Sequence, residues 1–261
     1  MLNLITSSHN STLKLVRALA RDAKERREEG LFIVEGFRLV KDLLASNFVI
    51  EKILVSSNPS NKTRQLTNGI DPENYSLEEV ESRIFEQISS TENSQGILAI
   101  ARLPEPEVQK MPDLILIPDQ IRNPGNLGTL IRSAVAAGAG LVLIPPETTD
   151  PFSPKALRSG MGAHFVIPII SEDWNEIKTL ANDHQVLIAT SEGEQTIWDV
   201  DLRPRTIVII GGEAEGASKP AEELASLRVK IPMKGKIESL NAGIAGSIIL
   251  YEALRQRSSV K

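Results

Sequence analysis

Three short segments carry side chains able to do chemistry, and each follows an apolar run that reads as a strand. The first is Asp119-Gln120-Ile121-Arg122-Asn123-Pro124-Gly125-Asn126-Leu127-Gly128, leading into a helix that carries Arg132. Asn-Pro-Gly-Asn is turn chemistry, because proline presets one φ and Gly and Asn tolerate positive φ. Asn126 is placed to cap the helix. The turn leaves Arg132 unexplained: on the second turn of a helix, among Ala and Ile, an arginine snorkels, pairs with an acid or faces a site. The second segment is Gly211-Gly212-Glu213-Ala214-Glu215-Gly216-Ala217-Ser218. Its glycines permit close backbone approach to a ligand. It has neither G-x-G-x-x-G nor Gly-Lys-Ser/Thr, and its glutamates repel a pyrophosphate, so it suits a neutral or cationic ligand. The third runs Ile231-Pro232-Met233-Lys234-Gly235-Lys236-Ile237-Glu238-Ser239-Leu240-Asn241-Ala242-Gly243. Ser239 and Asn241 suit a helix start. Small residues at Ala242, Gly243, Ala245, Gly246 and Ser247 lower helix propensity and need a packing reason, such as another helix or a knotted backbone close by.

The elements that must position these segments are legible in the apolar pattern. Runs at 114–118, 141–145, 165–169, 186–190, 206–210 and 228–231 are continuous rather than alternating, which predicts parallel strands covered on both faces. Helices fit at 126–138, 154–160, 173–183, 218–225 and about 240–257. In such an α/β sheet, ligand loops lie at the carboxyl ends of strands. The earlier part reads as a smaller α/β unit: a helix over 11–29 stopped by Gly30, a strand at 31–34, a helix at 36–45, and strands at 50–55 and 96–101. A proline-rich polar stretch separates the two. The expected domains are 1–105 for substrate binding and 113–261 for catalysis, with 106–112 as linker.

Composition narrows the chemistry. The chain has 261 residues and no cysteine, which removes disulfide scaffolds, thiolate metal sites and cysteine nucleophiles. Three histidines, His9, His164 and His184, lie too far apart for a histidine metal motif, so no metal is expected. No run approaches the ~20 apolar residues of a membrane helix, and no secretory signal is visible; a cytoplasmic protein without membrane association is the expectation. The net charge of −5 counts against general nucleic-acid attraction. Lys14, Arg17, Arg21, Lys24, Arg26 and Arg27 nevertheless cluster against only Asp22 and Glu25. That stretch reads either as a phosphate-contacting patch or as a solvated helix face with i,i+4 pairs.

Together the three segments resemble the SpoU (TrmH) family of RNA ribose 2′-O-methyltransferases, within the SPOUT class of S-adenosylmethionine enzymes. The resemblance rests on Asn123-Pro-Gly-Asn126-x-Gly128-x-x-x-Arg132, Gly211-x-Glu213-x-x-Gly216 and Ile231-Pro-Met-x-Gly235-x-x-x-Ser239-Leu240-Asn241, in matching order and spacing. Ala242-Gly243 follows where many members carry Val-Ser. Phe32-Ile-Val-Glu35-Gly36-Phe-Arg38-Leu-Val, with Ser94-Gln95-Gly96-Ile97, resembles the family's L7Ae-like substrate-binding domain.

The resemblance implies a C-terminal parallel-sheet domain with a trefoil knot, a smaller N-terminal α/β domain, and a homodimer with its site near the subunit interface. Backbone groups at Gly211, Ile231 and Leu240, with Thr190, would hold S-adenosyl-L-methionine. Asn126, Arg132, Glu213, Ser239 and Asn241 match the family's catalytic residues. Two roles stay open for Arg132: general base, as the family proposal has it, or phosphate clamp, since a free guanidine is costly to form. Glu213 would hold Arg132 or Asn126. Ribosomal RNA is the preferred substrate over tRNA. The rival readings are a catalytically silent RNA-binding or ribosome-assembly protein and a Rossmann-type oxidoreductase; retention of all five polar residues argues against the first, and the missing dinucleotide fingerprint against the second.

Overall fold

The computed structural model describes residues 3–71, 73–105, 108, 110–213, 216–235 and 239–258. Residues 106, 107 and 109 of the expected linker, Ala214 and Glu215 of the second segment and 236–238 of the third lie outside the described residues. The chain divides into two compact units, Met1–Pro104 with Phe152–Arg158, and Glu105–Pro151 with Ser159–Lys261.

The first unit comprises β1 (Asn3–Ile5), α1 (Ser11–Arg21), α2 (Ala23–Glu29), β2 (Leu31–Glu35), α3 (Phe37–Leu44), β3 (Ile50–Ser56), α4 (Asn61–Asn68), β4 (Leu77–Val80), α5 (Ser82–Ile88) and β5 (Ile97–Arg102). Its sheet runs β1-β4-β3-β5-β2, with β5 antiparallel to both neighbours and the other pairs parallel. The single helix expected over 11–29 is two. Asp22 takes an extended conformation, and its carboxylate accepts from Lys24 N, so one residue ends α1 and caps α2. Gly30, in the left-handed region at φ 66°, stops α2 as the sequence predicts. Leu13, Val16 and Leu19 form the core face of α1, and Leu15 packs at its edge. The polar β4 and α4 and the short β1 and α5 carry too little apolar pattern to be read from sequence.

Two features anchor this unit. The buried Glu35 carboxylate accepts from Ser90 N at 2.8 Å, Ser90 Oγ at 2.5 Å and Thr91 Oγ1 at 3.1 Å, tying the end of β2 to the loop after α5. Phe152 packs its ring 5.0 Å from that of Phe32, and Arg158 donates to Ser90 Oγ at 2.6 Å. The segment Phe152–Arg158 therefore groups with the first unit although it lies within 113–261 in sequence.

The second unit comprises β6 (Leu114–Pro118), α6 (Pro124–Ala136), β7 (Leu141–Ile144), the end of α7 (Pro154–Gly160), β8 (Ile169–Ser171), α8 (Trp174–Leu180), β9 (Gln185–Ala189), β10 (Gln195–Thr196), β11 (Thr206–Ile210), α9 (Lys219–Leu224), β12 (Leu227–Lys230) and α10 (Ala242–Ser258). Its sheet runs β10-β12-β9-β11-β6-β7-β8 with every pair parallel. The central strands β6 and β11 are buried throughout, as a parallel sheet between helices requires. The strand expected at 165–169 is a correction. Ala163–Phe165 is a 3₁₀ turn, Val166 is 71% exposed, and β8 begins only after Pro168, which cannot donate to a ladder.

Candidate active site

Strand register brings the three chemistry-bearing segments together. Ile210 pairs with Pro118 on one side and with Ala189 on the other, and Ala189 pairs with Val229. The carboxyl ends of β6, β11, β9 and β12 therefore finish level, and the loops that follow start side by side.

The first loop feeds α6, whose N-cap is Asn123 rather than the expected Asn126. The Asn123 side chain accepts from Gly125 N at 2.9 Å, and Pro124 occupies the first helical position, where its missing N–H costs nothing. This correction matters, because it frees the Asn126 amide for other work. Asn126 Nδ2 donates to Glu213 Oε1 at 2.5 Å, and Asn241 Nδ2 donates to the same oxygen at 2.7 Å and to Asn126 Oδ1 at 3.1 Å. One carboxylate oxygen thus joins all three loops. Asn241 also does the plain work of a helix start, since its Oδ1 accepts from Ile244 N at 3.3 Å.

Behind this node lies a cleft of about 560 Å³. Thr190, Gly211, Ile231 and Leu240, the four residues expected to hold the donor, all line it, together with Glu213, Ser239 and Asn241. Thr190 is partly committed elsewhere: its N–H pairs with Val229 O at 2.9 Å, and its Oγ1 accepts from Glu192 N at 3.3 Å. Gly211 and Gly212 are required by close approach. A Cβ at Gly211 would lie 2.6 Å from Ala217 N and from the Gly216 carbonyl carbon, and one at Gly212 would lie 2.5 Å from Gln120 O. The glycine pair lets the second loop fold on itself and against the first.

Sequence reasoning missed the brace beneath these loops. Asp119, fully buried at the end of β6, accepts from Ser218 N at 2.6 Å through Oδ2. Burial pushes its carboxyl above the usual carboxylate range, the Ser218 bonds oppose that, and nearby Glu147 adds to it. An acid closing an otherwise apolar strand was the available signal. Ser218 in turn caps α9 through Ala221 N at 3.4 Å.

Arg132 stands apart. It is exposed on α6, lines neither the cleft nor the cavity beside it, and has no hydrogen-bond or ion-pair partner among the described residues. Of the two partners expected for Glu213, the structure supplies Asn126. The basic stretch of the first unit is partly structural. Arg26 is buried and donates to Leu19 O, Arg17 donates to Ser8 O at 2.9 Å, and Lys24 lies 3.6 Å from Glu28. Lys14, Arg21 and Arg27 are exposed.

Comparison with known proteins agrees with this geometry. Residues 113–251 match the SpoU rRNA Methylase family, and residues 10–99 match an MRM3-like substrate binding domain. The chain is 32% identical to the 23S rRNA (guanosine(2553)-2′-O)-methyltransferase RlmP of Bacillus subtilis, over 95% of this chain and 97% of that protein. The SpoU methyltransferase AviRb from Streptomyces viridochromogenes, solved in complex with the cofactor AdoMet, superposes with a TM-score of 0.85 at 26% identity, covering 97% of this chain and 100% of that one. The AdoMet-bound rRNA methyltransferase from Sinorhizobium meliloti gives a TM-score of 0.85 at 29% identity, covering 97% and 98%. With its motif-bearing segments gathered on one parallel sheet and more than half its length matched, the chain belongs to the SpoU rRNA methylase family.

Proposed function

We propose that this chain transfers a methyl group from S-adenosyl-L-methionine to a ribose 2′-hydroxyl of ribosomal RNA. The observation that carries the reading is the convergence of Asn126, Glu213 and Asn241 at the mouth of a cleft lined by Gly211, Ile231 and Leu240. The cleft volume falls within the range of small-molecule sites. The close approach of Gly211 to Gly216 and Ala217 makes a backbone cradle, and Glu213 and Glu222 on the wall suit a donor whose reactive end is cationic.

The donor, when bound, supplies an already activated methyl group. The protein's task is then geometry and proton management. Thr190, Gly211, Ile231 and Leu240 hold the donor. Asn126 and Asn241, fixed by their shared Glu213 acceptor, present amide groups that orient the ribose, and Ser239 lines the same wall. A ribose hydroxyl is a poor nucleophile near neutral pH, so it needs a base or strong orientation. Arg132, exposed and unpaired among the described residues, engages the backbone phosphate beside the target ribose. The proton leaves through that phosphate or water, which avoids deprotonating a guanidinium.

The chain works as a cytoplasmic homodimer. On α10, Ile244 and Tyr251 are 52% and 51% exposed, and an i,i+7 spacing sets them on one face with Ile248 between. Such an apolar stripe on a charged surface marks an interface. The first unit, an L7Ae-like domain, binds the RNA substrate. A trefoil knot at the C-terminal end is supported by the path of the chain, since β12 pairs on the far side of β9 from β11 and α10 then packs on β11 and α6.

The deciding experiment incubates the purified chain with radiolabelled S-adenosylmethionine and ribosomal RNA from cells lacking the gene. Label is expected at one ribose, recovered as an alkali-resistant dinucleotide. Donor binding without transfer to rRNA or tRNA would identify a silent RNA-binding protein instead.

A further inference from the structure

A second cavity adjoins the donor cleft. It measures about 320 Å³ and is walled by Gln120, Ile121, Arg122, Asn126, Gly212 and Glu213. Gly212 and Glu213 line both spaces, so the cavity and the cleft lie on either side of one short piece of the loop after β11. Gln120 on the cavity wall and Glu147 beside it share an unusual backbone. Gln120 sits at φ 53°, and Glu147, whose carboxylate lies 3.9 Å from the Arg122 guanidinium, at φ 66°. Glycine takes this region without strain, whereas a side chain there persists only when its surroundings enforce it. They do: Asp119 N donates to Ile210 O at 2.9 Å, Thr149 N to Ile121 O at 2.9 Å and Thr148 Oγ1 to Pro118 O at 2.8 Å, and Gln120 O is pressed against Gly212.

We propose that this cavity seats the target nucleoside, with Gln120 and Arg122 reading its base and so setting which nucleotide is methylated. The assignment rests on the methyl-transfer reading above and adds the acceptor side to it. Three observations support it. The volume matches a nucleoside-sized ligand. Glu213 and Glu147 make the surroundings hostile to a phosphodiester, so the part of the nucleotide that enters is the neutral sugar and base. Gly212 and Glu213 form the edge shared with the donor cleft, and Asn126, bonded to Glu213, lines the cavity side of it, which places the ribose there and the base deeper, against Gln120 and Arg122. No aromatic ring lines the cavity among the described residues, so the base is held by its edge and by a guanidinium plane rather than by ring stacking. A glutamine amide offers a donor and an acceptor in one plane, and arginine offers a fork of donors; such pairs discriminate between bases. The target nucleotide must be unstacked, as in a loop or bulge.

The test uses Gln120→Gly and Arg122→Ala in the full chain. Substrates are a transcript carrying the mapped target and three transcripts with another base there. Donor affinity, measured by calorimetry with S-adenosylhomocysteine, is expected to stay within about twofold of wild type. Gln120→Gly is expected to keep or raise the melting temperature, because glycine relaxes the left-handed turn. Its kcat/KM on the cognate transcript should fall about tenfold or more, and Arg122→Ala should shrink the preference for the cognate base by a similar factor. Unchanged kcat/KM and base preference in both variants, with donor binding intact, would overturn the assignment. A lowered melting temperature in Gln120→Gly with base preference intact would make this side chain scaffold and overturn its role. A wild-type chain that binds no donor would sink the reaction itself, and this assignment with it.

Discussion

Removing the Glu213 carboxylate tests whether the three loops act as one site. Its Oε1 accepts from Asn126 at 2.5 Å and from Asn241 at 2.7 Å, so Glu213→Ala severs both ties at once. Hydrogen bonds to a charged acceptor contribute about 1.5–3 kcal/mol when shielded from water. Glu213 is exposed, and water re-solvates the two freed amides, so the discounted loss for the pair is about 1 kcal/mol. For a chain of this size that lowers the melting temperature by about 2–4 °C. Function should suffer far more than stability. Asn126 sits in the first turn of α6 and Asn241 just before α10, and with their common acceptor gone each amide is positioned by its own helix start alone. A misplacement on the order of 1 Å costs roughly a hundredfold in rate. Steady-state transfer of labelled methyl to the mapped RNA gives the readout.

Glu213→Gln separates two roles for this side chain. An amide oxygen still accepts from both asparagines, so a positioning role predicts activity within about tenfold of wild type. A role as proton acceptor predicts that the Gln variant is as inactive as the Ala variant, because an amide cannot take the proton. Wild-type turnover in Glu213→Ala would refute the idea that this node holds the site.

Three further outcomes are expected. Arg132→Ala should lose more than about a hundredfold in methyl transfer while donor affinity, measured calorimetrically, stays within about twofold; Arg132→Lys should recover only part, lacking the planar fork, and near-normal turnover in the alanine variant would remove Arg132 from the mechanism. Gly211→Ala should weaken donor binding about tenfold or more, because its Cβ meets backbone at 2.6 Å and the loop lining the cleft must shift; equal affinity would show that the loop yields without cost. Burial holds His164 neutral, lowering its pKa from 6.5 to about 4 against a smaller opposing bond to the Pro151 carbonyl. The unfolded chain then takes up the proton first, so His164 makes stability fall as pH drops from about 6.5 to about 4, by about 3 kcal/mol in all. Urea unfolding across that range should show a steeper loss in wild type than in His164→Gln, and parallel curves would place the proton uptake elsewhere.

The sheet of the second unit was readable because its strands are continuous apolar runs between turn residues. Leu114–Pro118 and Thr206–Ile210 match the expected bounds. The failures have local causes. At 165–169, Phe165 and Val166 look like strand residues, yet Pro168 delays the ladder and the buried His164 holds a tight turn before it. The break at Asp22 was hidden because its neighbours are good helix formers and only the cap geometry separates α1 from α2. In the site, the three motifs named the right loops, but residue types alone did not say which amide meets which carboxylate. Asn123 and Asn126 are equally good caps by type, and Pro124 decides between them by fixing the first helical position. Arg26, counted as part of a basic patch, points inward to Leu19 O, since a charged residue beside a helix break can serve the carbonyls the break leaves open.

The small residues of α10 link remote packing to the chemistry. Gly246 lies so close to α6 and β11 that a Cβ would come 2.2 Å from Leu130 Cδ2 and 3.2 Å from Ile210 Cγ1, and Gly243 faces Thr129 in the same way at 3.2 Å. One turn further, Ser133 and Ser247 share a hydrogen bond of 2.7 Å, and Ser247 also donates to Gly243 O at 2.6 Å. The packing reason that the sequence demanded is therefore the seating of α6 and β11 side chains directly on the glycines of α10. Asn126 sits in the first turn of α6 and Asn241 at the start of α10, so the separation of the two helices fixes the separation of the two amides. Glu213 then needs only one oxygen to bridge them. A larger residue at 246 must displace the buried Leu130 side chain, and whatever part of that strain α6 and α10 take up shifts Asn241 relative to Asn126 without touching either. The rule that cores tolerate changes of volume poorly thus acts here on the catalytic geometry itself.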